Sequence, residues 1–172
     1  SPAIWTAGLI NWDALVLALT ALAMLAWSRK RPLWAGIWIG LGVAAKLYPA
    51  LILVPLTVLC VRTNRIKPLL LAYAGAAGSW LAVNLPVYLA APQGWLNFWK
   101  FNVERGGDLG SIWYVLSLMD IKVDSASRLE AGLMVVGTVV ICALLLLLPR
   151  RPRLSQGVFL MVALFLMVNK VY

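Results

Sequence analysis

The feature that most constrains this chain is where its positive charge sits. Nine of its 15 basic residues fall into three short clusters, Arg29-Lys30-Arg31, Arg62/Arg65/Lys67 and Arg150-Arg151/Arg153, and no cluster contains an acid. Long apolar runs lie between and beyond them. Five of the six acidic residues (Glu104, Asp108, Asp120, Asp124 and Glu130) fall between positions 104 and 130. Basic loops are retained on the cytoplasmic face of a membrane, so all three clusters are expected inside and segment 91–130 outside.

Composition agrees with a membrane setting. Of 172 residues, 63% are hydrophobic and 12% charged, against roughly 25% charged in soluble domains. A soluble fold has no place to hide that much apolar surface, so the bilayer is the expected solvent. A net charge of +9 would suggest nucleic acid in a soluble protein, but charges placed in bursts between apolar runs act as topology signals, and no nucleic-acid partner is expected. Cys60 and Cys142 sit inside apolar runs as small packing residues. With no His in the chain, no metal site is expected. The chain starts at Ser1-Pro2 and stops at Asn169-Lys170-Val171-Tyr172, which reads as an internal fragment of a longer protein.

The expected fold is an all-α, polytopic integral membrane bundle with about six membrane helices, two of them short: 9–27, 33–45, 49–61, 66–90, 131–148 and 154–169. Leu33–Val61 is the difficult stretch, because it joins two clusters that belong on one side. Two short helices meeting at Lys46-Leu47-Tyr48-Pro49 satisfy the rule, and Pro49 favours a break by lacking an N–H and disfavouring helical angles at Tyr48. A single kinked, tilted helix is the alternative. Gly36-xxx-Gly40 with Ala44, and Ala72/Gly75/Ala76/Ser79, form small-residue stripes that permit close helix approach.

Several charges are out of place in so apolar a chain. A lysine deep in a membrane costs ~2.5–3.5 kcal/mol or more without a partner or a wet cavity. Lys46 can pair with Asp13, snorkel outward, or serve an anionic ligand as a point charge for phosphate. Asp13 begins the first span, where an acid suits the helix macrodipole, and contact with a ligand is its other role. Lys170 lies just past the last span, as an interfacial anchor or a second cation at the outer side. Within the external loop 91–130, positions 94–102 are expected to form an interfacial helix carrying Trp95, Phe98 and Trp99. The run Glu104-Arg105-Gly106-Gly107-Asp108-Leu109-Gly110-Ser111 follows. Its glycines let a ligand approach the main chain. Arg105 offers a fork for phosphate and Asp108 an acceptor for sugar hydroxyls, while an Arg–Asp pair holding a polar turn is the plainer reading. Ser111 is placed to cap a helix starting at Ile112.

These residues resemble a known family. Gly40-Leu41-Gly42-Val43-Ala44-Ala45-Lys46-Leu47-Tyr48-Pro49, after Asn11-Trp12-Asp13, is similar to membrane mannosyltransferase-type proteins of glycosyltransferase family 87, which have the GT-C fold. Arg105-Gly106-Gly107-Asp108-Leu109-Gly110-Ser111-Ile112-Trp113-Tyr114 and Asn169-Lys170-Val171-Tyr172 are similar to actinobacterial members.

The resemblance implies an inverting enzyme that transfers a sugar, often mannose, from a polyprenyl-phosphate carrier to a lipid or glycan acceptor at the outer face of the plasma membrane. It implies no nucleotide sugar and no cofactor beyond the lipid-linked donor. It places the catalytic aspartate in an external loop upstream, so no catalytic residue is expected in this fragment. Lys46, Arg105, Lys170 and Tyr48 are then the candidates for the lipid phosphate, and Asp108, Asn11, Asp13 and Ser111 for sugar or acceptor. Membrane lipids and the polyprenyl-phosphate sugar are the expected partners; nothing in the sequence names a protein partner. Two other classes stay open: a transporter or flippase for a lipid-linked substrate, which also uses broken helices and buried charge, and a non-catalytic membrane subunit.

Overall fold

The computed structural model describes residues 13–104, 111–119 and 126–169, and every regular element among them is helical. The chain divides after Ala91 into two compact units. The first contains α1 (Asp13–Ser28), α2 (Pro32–Ala45), a 3-10 helix (Tyr48–Ile52), α3 (Leu53–Arg62) and α4 (Ile66–Ala90). The second contains α5 (Pro92–Glu104), α6 (Ile112–Leu118), α7 (Ala126–Leu147) and α8 (Leu154–Val168).

Two basic clusters of the first unit form its tight turns. Lys30 and Asn64 both adopt positive φ, at 57° and 52°. Around Lys30, the Arg31 N–H reaches Ala26 O at 2.9 Å and the Lys30 N–H reaches Trp27 O at 3.0 Å. Around Asn64, Arg65 reaches Cys60 O at 2.8 Å and Asn64 reaches Val61 O at 3.0 Å. Each is a Schellman closure, which satisfies the last helix carbonyls and turns the chain sharply. Pro32 then starts α2 at a position where a missing N–H does no harm.

The core of this unit is a glycine-mediated contact between α2 and α4. A Cβ built on Gly36 would lie 1.9 Å from Ala72 O, one on Gly40 2.2 Å from Ala76 O, and one on Gly75 2.4 Å from Leu33 O. One turn along α2 matches one turn forward along α4, so the two helices run parallel. The Ser79 hydroxyl bridges them, 3.0 Å from Ile37 O and 2.9 Å from Gly75 O. Between these parallel helices the chain must return, and α3 is the return: its Thr57 hydroxyl meets the Tyr73 hydroxyl of α4 at 2.8 Å, with the turn at Asn64 closing the end of the pair. The reversal falls at Lys46-Leu47, ahead of Pro49, so of the two alternatives for 33–61 the structure contains the doubling-back chain. The clusters at 29–31 and 62–67 therefore share one end of the unit.

The elements differ in reach. At 1.5 Å per residue α2 is about 21 Å long and α4 about 37 Å. With Gly36 opposite Ala72, the end of α2 is level with about Leu81, so α4 continues about 13 Å further. Along that extension Leu81, Val83, Leu85, Val87 and Leu89 are exposed. Pro86 lies within it and leaves the Ala82 carbonyl without its usual helical donor.

In the second unit α7 and α8 form a hairpin. Gly137 abuts Leu164, and Ile141, Leu145 and Met161 are buried. In α5 the Trp95 and Trp99 rings stand 5.4 Å apart and Phe98 and Trp99 5.5 Å apart, edge to face.

Some expected boundaries are revised. Segment 91–130 is largely helical where described, because α5 extends to Pro92 and Glu104 and α6 occupies Ile112–Leu118. Helix α7 starts at Ala126 rather than 131: Arg128 and Glu130 are charges on its first turns, and an acid there suits the positive helix end. Two described helices, Ile66–Ala90 and Arg128–Leu147, are long and apolar enough to cross a bilayer. The apolar helices Asp13–Ser28, Pro32–Ala45, Tyr48–Arg62 and Leu154–Val168 are shorter than the ~20 residues a span requires. Among the described residues there are thus two helices of full spanning length and four shorter apolar ones.

The α2–α4 contact leads to a stability prediction. Gly36→Ala and Gly75→Ala push a methyl into backbone that cannot yield, and should each destabilise by about 1–3 kcal/mol. Gly78, which has nothing within 4 Å of a built Cβ, should tolerate alanine with no loss. Thermal unfolding in detergent would separate the three variants.

Candidate functional site

At the end of the first unit opposite its two turns, α1 begins and α2 stops. Helix α2 ends because Lys46 turns to extended angles, φ −150° and ψ 144°, while its N–H still closes on Gly42 O. The Lys46 side chain thus leaves from the carbonyl end of α2, where a cation is favoured, and Asp13 sits in the first turn of α1, where an anion is favoured. Because α1 and α2 are antiparallel neighbours, these two ends adjoin. Lys46 Nζ donates to Asp13 Oδ1.

The ion pair is stabilised by its own attraction and by both helix ends, yet it is not sealed. Side-chain exposure is 27% for Lys46 and 46% for Asp13, so a ligand can reach both. Tyr48, half-buried two residues beyond Lys46, lies within electrostatic range of the Asp13 carboxylate. Pro49 is fully buried against Gly42 and anchors the tip. Pairing with Asp13 was one of the roles the sequence left open for Lys46, and it places three of the candidate residues, Lys46, Asp13 and Tyr48, in one cluster.

Helix α4 continues past the end of α2. Tyr73 faces α3 through Thr57, and by helical periodicity Trp80, Asn84 and Tyr88 continue toward the same side. Asn84 donates to Trp80 O at 3.1 Å. Sequence reasoning passed over Asn84, although an amide inside an apolar run is the signal that marks it.

Of the other candidates, Asn11, Arg105, Asp108 and Lys170 lie outside the described residues. Ser111 is fully buried, and its hydroxyl accepts from the Tyr114 N–H at 3.2 Å. This is the helix-capping contact expected for it at the start of α6. The neighbouring Trp113 was not singled out by its residue type, yet its Nε1–H donates to Val168 O at 2.7 Å. That bond fastens α6 to the C-terminal end of α8, joining two motifs that are 55 positions apart.

Trp113→Phe keeps the ring but removes the donor. It should cost about 1 kcal/mol and raise amide exchange selectively in α6 and the last turn of α8, as hydrogen–deuterium exchange would show.

The model of glycosyltransferase family 87 matches residues 1–169 of the chain. No curated protein and no solved structure matches it.

Proposed function

Because the chain belongs to glycosyltransferase family 87, a family of membrane glycosyltransferases, we propose that it forms part of an enzyme that transfers a sugar from a polyprenyl-phosphate carrier, with mannose as the sugar. The acceptor is a lipid or glycan at the outer face of the plasma membrane. The observation that carries this reading is Lys46: a reachable cation at the tip of the reversing chain, at the end of its unit away from the two basic turns.

The chemistry suits such a residue. Attack on the anomeric carbon requires a carboxylate base, and the resemblance puts that base upstream of this stretch. The leaving group is a lipid phosphate that carries its own negative charge, so it needs stabilisation by cations rather than a proton donor. Lys46 supplies one cation, with Tyr48 beside it as a hydroxyl donor. Arg105 and Lys170 are proposed as further cations for a lipid phosphate, and Asn11, Asp13, Asp108 and Ser111 to serve sugar or acceptor. The sidedness follows from the basic turns: with both in the cytoplasm, the Lys46 tip points outward.

Two experiments bear on this. In the full-length protein, Lys46→Ala should fold normally but transfer sugar from polyprenyl-phosphate-mannose about 10²-fold more slowly; a well-folded variant with wild-type rate removes Lys46 from the mechanism. For topology, single cysteines at Arg29, Arg65 and Arg151 should all react with a membrane-impermeant maleimide from the cytoplasmic side alone. Labelling of any of the three from outside would overturn the orientation.

A further inference from the structure

The Lys46–Asp13 pair has a property that neither partner has alone, and we propose that Asp13 is a displaceable internal counter-ion: it holds Lys46 until the donor's phosphate takes its place. This rests on the reading that Lys46 binds the lipid phosphate, and it adds a role for Asp13 in setting how tightly that phosphate is held.

Three observations support an exchange. The pair is reachable, with Asp13 nearly half exposed and Lys46 about a quarter exposed. A phosphate oxygen arriving at Lys46 Nζ competes for the donor that Asp13 Oδ1 accepts from, and a phosphate shares its charge over at least two oxygens, so it can meet a point charge in more than one orientation. Separation also strands neither ion. Lys46 remains at the carbonyl end of α2, and Asp13 remains at the N-terminal turn of α1, so each keeps a helix end of opposite sign. Tyr48 lies within electrostatic range of the Asp13 carboxylate. An ordinary buried ion pair lacks this property, since removing one partner leaves the other uncompensated.

The exchange has two consequences. Neutral lipids cannot displace Asp13, so the pair discriminates in favour of a phosphorylated carrier over its free alcohol. Binding is also weaker than a lone Lys46 would give, because each arriving phosphate must break the internal bond; that lets the spent carrier phosphate leave once transfer is complete.

The test is a binding measurement on the full-length protein in lipid nanodiscs, using farnesyl phosphate as probe, with farnesol, inorganic phosphate and phosphatidylglycerol as comparison arms. Asp13→Asn should tighten farnesyl phosphate binding about fivefold or more, within the range of a coupling between adjoining sites. Lys46→Gln should weaken it at least as much. In the double variant the gain from Asp13→Asn should vanish, because that gain is expressed through Lys46. If Asp13→Asn does not fold, Asp13→Ser, another neutral residue suited to a helix N-terminus, should give the same tightening. Binding that is unchanged or weakened in both neutral variants, while Lys46→Gln still loses affinity, overturns the exchange and leaves Lys46 as phosphate ligand. Unchanged binding in Lys46→Gln overturns both readings. Equal tightening toward farnesol would also overturn the exchange, since no phosphate is then being exchanged. Tightening toward phosphatidylglycerol or inorganic phosphate equal to that toward farnesyl phosphate assigns the site to any phosphate and overturns its preference for the carrier.

Discussion

The first unit depends on how closely α2 and α4 approach. Carbonyl oxygens of α4 occupy the space that side chains would need at Gly36 and Gly40, and Leu33 O does the same at Gly75. In lipid there is little hydrophobic gain in bringing two apolar helices together, so van der Waals contact and hydrogen bonds must do it. Backbone-to-backbone proximity, with Ser79 reaching Ile37 O, supplies both. Once two helices of the same direction are locked in this way, the chain between them has to come back. The short 3-10 segment and α3 follow from that requirement.

Lys46 occupies its place for the same reason. The return needs a point where α2 stops, and the stop leaves a set of helix carbonyls facing the start of α1. A cation there and an anion opposite satisfy both helix ends and each other. The charge in the apolar run is thus consistent with the architecture, and its partial exposure makes it available for chemistry. The family assignment says that glycosyl transfer is the chemistry at stake.

Much of this was legible in the sequence, and the reasons differ by feature. The small-residue stripes on α2 and α4 were visible because glycine and alanine at a spacing of three or four residues have one common use in membranes. The break near Pro49 was visible because the basic clusters on either side could not be separated by a single crossing. The sequence did not reveal that the two stripes pack against each other in the same direction, since a stripe marks a face but not its partner. Nor did it show that Trp113 would bond to Val168 O: a backbone acceptor carries no residue identity. The start of α7 was placed too late because Arg128 and Glu130 lower local hydropathy, although the first turns of a helix accept such charges readily. Asn11, Arg105, Asp108 and Lys170 stand as sequence candidates alone.

The 3-10 segment Tyr48–Ile52 has a mechanical consequence. A 3-10 helix rises about 2.0 Å per residue and an α-helix about 1.5 Å. The Leu53 N–H sits between registers, meeting the carbonyls of Ala50 and Leu51. If those five residues tightened into continuous α-helix with α3, the tip would be drawn down by about 2.5 Å and rotated about the axis of α3. Lys46 itself belongs to the end of α2, so such a change would alter its spacing from Tyr48, the first residue of the segment.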